Sequence, residues 1–239
     1  MTVVRYRVPA PGSAWTEQDR VETALLLELD GAARPHTRVR TIRKRVEVFG
    51  ATPRVVTRAR VAYLEHLVVE QLDLTERRRA SPLQGKTFVL DATGGALTVT
   101  GPDGAPVAPD DDQAVRVAEK RFGRGDSLPM VLAQLEFRAG EAVDVPPALA
   151  ARLFGGEHDV TQLALTFVEH RANRAHFTMV LRMTSARAGS TTETAVAGTL
   201  EVETDTAQLC EMRLAGTVHV TGATSAEGTV AMLGTRTPG

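Results

Sequence analysis

The first residues in this chain that could do chemistry are Gly85, Lys86 and Thr87, which open the stretch "GKTFVLDATGGALTVTGPDGAPV". A phosphate-binding loop needs a glycine five positions before its Gly-Lys-Thr, and that position is Ala80. It also needs a helix after the lysine, so that backbone N–H groups aim at the anion. Lys86 instead leads into "TFVLD", a β-branched and aromatic run that reads as a strand. The glycines suit turns. "TFVL" and "LTVT" read as a hairpin, with Gly94, Gly95 and Gly104 free to take the positive φ of tight turns.

The remaining reactive side chains form no recognisable constellation. None of His36, His66, His158, His170, His176 and His219 has the spacing of a metal site, with another His or with the lone Cys210. His170 and His176 flank the turn "RANRA" and read as solvated. Asp110–Asp112 lack the spaced acids and closing Glu of an EF-hand loop, and read as carboxylates at the positive end of a helix. "GRGDS" at 123–127 reads as the turn ending that helix. There is no Gly-x-Ser-x-Gly elbow and no Ser-x-x-Lys. Cys210 alternates with Met212 and Leu214, which places it on an apolar strand face, and parity sets His219 on the other side. The expectation is a protein without an enzymatic site, cofactor or metal.

Composition narrows the partners. The 239 residues carry a net charge of −1, with 43% hydrophobic, 24% charged and only 4% aromatic residues. The balanced charge excludes a global nucleic-acid footprint, and the few aromatics argue against stacking platforms for bases. No apolar run is long enough for a transmembrane helix. The N-terminus "MTVVRYRVPAPGSAW" lacks the apolar core of a signal peptide, so the chain reads as cytoplasmic as written, or as an envelope protein if it is a processed form. The segment 34–60 is rich in Arg and Lys with Glu47 as its one acid, which gives a candidate basic face centred on Arg43, Lys44 and Arg45.

The elements that must position these residues are mostly strands. Residues 1–20 read as an extended lead-in. From Val21 the period is two: Val21, Thr23, Leu25, Leu27 and Leu29 share one face of "VETALLLEL". A second strand carries Ile42, Val46 and Val48 on one side, and a third aligns Val55, Thr57, Ala59, Val61 and Tyr63. Residues 64–74 suit strand or helix, with strand preferred. The period then changes to helical near 108–155, with "APDDDQAVRVAEKRFGRG" and "PPALAARLFGG" as helices and "GEAVDVP" as a short extended piece. Four amphipathic strands complete the pattern, "VTQLALTFVEH", "RAHFTMVLRMTSA", "TETAVAGTLEVET" and "AQLCEMRLAGTVHVTG". Each has one polar face, so the sheet is antiparallel. Residues 222–239 read as a loose tail, and 21–221 as one β-rich domain. The fold class is mainly β: a curved antiparallel meander or open half-barrel with a small helical insert.

The Gly-Lys-Thr-aromatic strand, the "GEAVDVP" element and the "GTLEVETDT" hairpin resemble a group of uncharacterised bacterial proteins, over roughly residues 81–221. Their shape is similar to the open half-barrel of bacterial lipoprotein carriers. That resemblance implies an apolar ligand in the cell envelope.

A curved sheet closed by helices can enclose a pocket. The expected lining is Leu27, Val61, Tyr63, Phe122, Phe177, Met179 and Met212, and the expected function is non-enzymatic binding of an apolar small molecule or acyl chain. The alternative is an interaction or assembly module that meets a protein partner through a sheet edge or the basic face.

Overall fold

The computed structural model describes residues 4–29, 31–124, 128–154, 158–187, 189–222 and 225–239. Among them twelve strands form one antiparallel sheet that does not close on itself. In chain order the first six are β1 (Ala14–Leu29), β2 (Ala32–Ala51), β3 (Val56–Leu72), β4 (Thr75–Ala80), β5 (Thr87–Asp91) and β6 (Thr98–Thr100). Three helices and one strand form the insert: α1 (Pro109–Ala118), α2 (Leu128–Leu132), β7 (Ala142–Asp144) and α3 (Pro147–Phe154). The rest are β8 (Asp159–Arg171), β9 (Arg174–Arg187), β10 (Ser190–Glu203), β11 (Leu209–Gly222) and β12 (Ala226–Pro238). Across the sheet the order is β6-β5-β3-β2-β1-β12-β11-β10-β9-β8-β7, and β4 lies beside β5 along the same edge of β3.

The sheet confirms the mainly β class, the antiparallel sense and the helical insert, and corrects both ends of the chain. Residues 226–238 are not a tail. They form β12, which pairs with β1 on one side and β11 on the other and so joins the two meanders. The alternation is hard to see because the inward residues Ala226, Gly228, Val230, Met232 and Gly234 include two glycines and an alanine. The lead-in also ends early: β1 begins at Ala14, and Val4 is buried in the core. Of "GRGDS", only Gly123 and Arg124 fall within the described residues.

Two β-bulges explain other departures. The register moves from Arg43↔Glu65 to Lys44↔Tyr63, which leaves Leu64 as the extra residue on β3. Odd residues face inward up to Tyr63, and even ones from His66 onward. This phase change mimics a helical stripe, yet the segment is strand to Leu72. A second shift, from Glu201↔Glu211 to Val202↔Leu209, makes Cys210 the extra residue on β11. Leu209 takes the inward place instead, and Cys210 is half-buried with burial raising its thiol pKa.

Gly198, Gly216 and Gly228 lie on a diagonal across β10, β11 and β12, in line with the inward residues of their neighbours. A Cβ at any of the three would meet a backbone carbonyl oxygen of the next strand at 1.9 Å. Only glycine lets the neighbouring backbones approach so closely along this diagonal.

The core is two clusters on that face. The larger joins β8–β12 to α2 and α3, with Phe137, Phe167 and Phe177 in edge-to-face contact at 4.8 and 5.6 Å. The smaller joins β2, β3, β5 and β6 to α1 through Val48, Val61, Tyr63, Phe88, Leu90 and Val115. Between the two lies an open space.

Candidate functional site

That space is a half-open cleft of about 580 Å³. Its floor is the inward side of β1, β2 and β12, carrying Trp15, Glu17, Asp19, Lys44, Val46 and Arg236. Its roof is the end of α1 and the chain after it, from Ala118 through Phe122, together with Leu128 and Pro129 of α2. Strand register puts the floor together: Trp15 pairs with Val46, and Glu17 lies between Lys44 and Arg236.

One wall holds a buried polar cluster. Lys44 Nζ donates to Glu119 Oε1 at 2.8 Å and Oε2 at 3.1 Å, and approaches Glu17 Oε2 at 3.4 Å. The Tyr63 hydroxyl donates to Glu119 Oε1 at 2.8 Å. The Trp15 indole N–H donates to Glu17 Oε1 at 2.7 Å, and the Arg236 guanidinium stacks over the indole ring, 3.8 Å from its centroid. Arg236 also donates to the Gln208 side chain. Lys44 and Glu119 are 16% and 12% exposed, so the pair is largely out of water and each charge needs the other.

The protonation states follow from these contacts. Burial by itself would lower the Lys44 pKa, but the Glu119 and Glu17 carboxylates more than offset this and raise it above the ordinary lysine range. Burial, then the Glu119 carboxylate, raises the Tyr63 hydroxyl well above its usual value. Burial opposes ionisation of Glu17, but Lys44, the Trp15 N–H and Arg236 together leave its pKa lowered. Asp19, open to the cleft, is raised by desolvation against the cleft walls and by the neighbouring Glu17. The wall therefore presents a neutral phenol, an ammonium and carboxylates held in ion pairs.

The cluster also fastens the roof. Glu119 caps the C-terminal end of α1, donating its N–H to Val115 O, while its carboxylate bridges to β2 and β3. Lys86 reaches Asp111 in the first turn of α1 at 2.7 Å, and Arg116 donates to Leu97 O at 2.6 Å. The lysine of the Gly-Lys-Thr stretch thus ties a helix to the sheet. The hairpin it opens is β5–β6, with Gly95 in its turn and Gly104 in the turn after β6, each at φ 85°, while Gly94 does not take the expected positive φ.

The expected lining residues fall in different places. Val61 and Phe122 line the cleft, while the Tyr63 side chain is buried and offers its hydroxyl to Glu119. Phe177 and Met179 are buried in the larger cluster at 1% and 5% exposure, and Met212 packs beside them. Leu27 is distant, near the far end of β1 opposite Arg34 and Ala226. The triplet Arg43, Lys44 and Arg45 does not form one face. Strand alternation points Arg43 and Arg45 outward, both exposed, and Lys44 inward to Glu119.

Sequence reading missed Trp15, Glu17, Asp19, Glu119 and Arg236. Part of the signal was present: Lys44 sits between the inward Ile42 and Val46, and Trp15, Glu17 and Asp19 share the parity of Val21. Glu119 carries no local signal, because its partners are 75 and 56 residues away. Among the described residues no group of three or more His, Cys, Asp or Glu is placed to hold a metal ion, and no helix is long and apolar enough to cross a membrane.

No protein-family model matches the chain, and no curated protein matches it significantly. Among solved structures it is similar to lipovitellin, from a structure of lipid–protein interactions in that protein, with 11% identity and a TM-score of 0.48. The match covers 95% of this chain and 26% of that one, so the chain spans about a quarter of lipovitellin's length.

Proposed function

We propose that this protein is a non-enzymatic binding protein for an apolar small molecule or acyl chain, held in the cleft between the two core clusters. The observation that carries this reading is the cleft itself. At about 580 Å³ it falls within the roughly 300–1,000 Å³ of small-molecule sites. Its walls join apolar surface from Trp15, Val46, Val61, Phe122 and Leu209 to a few fixed polar groups. The polar groups serve the scaffold: Lys44, Tyr63 and Glu119 bind one another and hold the roof in place. The edge strands β4, β6 and β7 are short, with six, three and three residues, and β4 carries three consecutive arginines, features that blunt an edge against pairing with another chain.

Native mass spectrometry of freshly purified protein tests the reading. The expected result is a mass above the 25.6 kDa polypeptide, with the excess lost on denaturation and identified as an apolar compound. A bare polypeptide that also binds no added fatty acid, alcohol or sterol would overturn it.

A further inference from the structure

The inward face of the sheet does not end at the cleft. Beyond the bulge at Leu64 it continues onto the far halves of β1, β2 and β3 and onto β4. Register gives two rows across the sheet. One runs Arg79, Val68, Arg40, Val21, Met232, Leu214. The next runs Arg77, Glu70, Arg38, Thr23, Val230, Gly216. Each row changes from basic at β4 to apolar at β12 and β11, on one side of the sheet.

The basic end is under-compensated. Glu70 lies between Arg38 at 3.4 Å and Arg79 at 3.9 Å, and Arg34 approaches Asp73 at 3.6 Å. Arg77 is exposed and makes no hydrogen bond or ion pair among the described residues, and the exposed Arg40 has the Asp19 carboxylate near it. Five arginines thus face three carboxylates, Glu70, Asp73 and Asp19. His36 and His66, on the same side, each bury an Nδ1 that has no hydrogen-bond partner. The one acid of the cleft open on this side is Asp19, which senses both Lys44 and Arg40 and marks where the cleft meets the basic surface.

We infer that the ligand is a single-chain anionic amphiphile, with its carboxylate, phosphate or sulfate on Arg40, Arg79 and the neighbouring His66, and its chain along β1 and β12 into the cleft. A neutral apolar molecule would gain nothing from the arginines, and a polar anion nothing from the half-buried Val21 and Met232. Two strand spacings of about 4.8 Å separate Arg40 from Met232, a span that a ten-carbon chain covers. The inference rests on the apolar-ligand reading and adds its charge.

Calorimetric titration of the full chain with decanoate and, separately, with decanol distinguishes the two claims. The expected result is that decanoate binds about tenfold more tightly at low salt. In the Arg40→Gln, Arg79→Gln double variant that advantage should vanish while decanol affinity holds, which also shows that the variant is folded. Equal affinity for both probes in the unaltered protein overturns the anionic inference and leaves the apolar reading standing. Failure to bind either probe overturns both. Binding to vesicles of phosphatidylglycerol without binding to decanoate overturns the single-chain assignment in favour of a membrane surface.

Discussion

Lys44 and Glu119 stand 75 residues apart in the chain and 2.8 Å apart in the fold, where they join the middle of the sheet to the end of α1. Tyr63 adds its hydroxyl to the same carboxylate oxygen. This junction positions the cleft roof over its floor, and it gives a direct handle on the architecture.

Removing one member of the junction strands the others. Lys44→Met leaves Glu119 and Glu17 without their shared cation. The expected cost is about 3 kcal/mol in urea unfolding. Converting both partners, Lys44→Met with Glu119→Leu, should recover a large part of it, because no unpaired charge then remains buried on α1. A single variant as stable as the starting protein would show that the pair is not buried in solution.

The junction also sets an alkaline limit. Lys44 and Tyr63 both have raised pKa values in the folded state. The folded chain therefore keeps two protons that the unfolded chain releases near about pH 10. Their contribution is complete below that pH and is lost as pH rises above it. Stability measured from pH 8 upward should hold and then fall steeply, and Tyr63→Phe should shallow the fall. An unchanged slope in Tyr63→Phe would contradict the assignment.

The glycine diagonal can be tested against an internal control. Gly216→Ala places a methyl carbon 1.9 Å from Ala195 O, whereas a Cβ at Gly94 meets nothing within 4 Å. Gly216→Ala should lose at least about 3 kcal/mol or fail to fold, and Gly94→Ala should stay within about 0.5 kcal/mol. Equal stability of the two would show that the backbones approach less closely at this diagonal.

The position of β12 makes a further demand. Deleting Ala226–Gly239 removes the strand between β1 and β11 and bares both their edges. The truncated chain should be insoluble or lack native circular dichroism. A soluble, cooperatively unfolding product would mean that the two meanders do not depend on this strand.

Where the alternation was strong, the sequence displayed the fold. Leu163, Leu165 and Phe167 mark β8, and Phe177, Met179 and Leu181 mark β9, because each inward side chain is large and apolar. β12 escaped notice because close packing needs small residues at Ala226 and Gly228, and a small inward residue looks like no pattern. The segment after Tyr63 was ambiguous because one extra residue, Leu64, reverses the phase of the strand. The cleft was the least legible part. Its walls come from β1, β2, β12 and the end of α1, and only the folded register brings Glu17, Lys44 and Arg236 into line. Lys44 was hidden further by its neighbours, since Arg43 and Arg45 make the three look like one basic patch.

Trp15 is the only tryptophan in the chain, and it forms part of the cleft floor. Its fluorescence therefore reports on whatever enters. Titration with a dibrominated stearic acid, whose heavy atoms quench tryptophan at short range, is the most direct test. Saturable quenching complete at one equivalent, reversed by unbrominated stearic acid, is the expected result. Emission that stays unchanged, or falls in proportion to added ligand without saturating, would contradict an apolar ligand in this cleft.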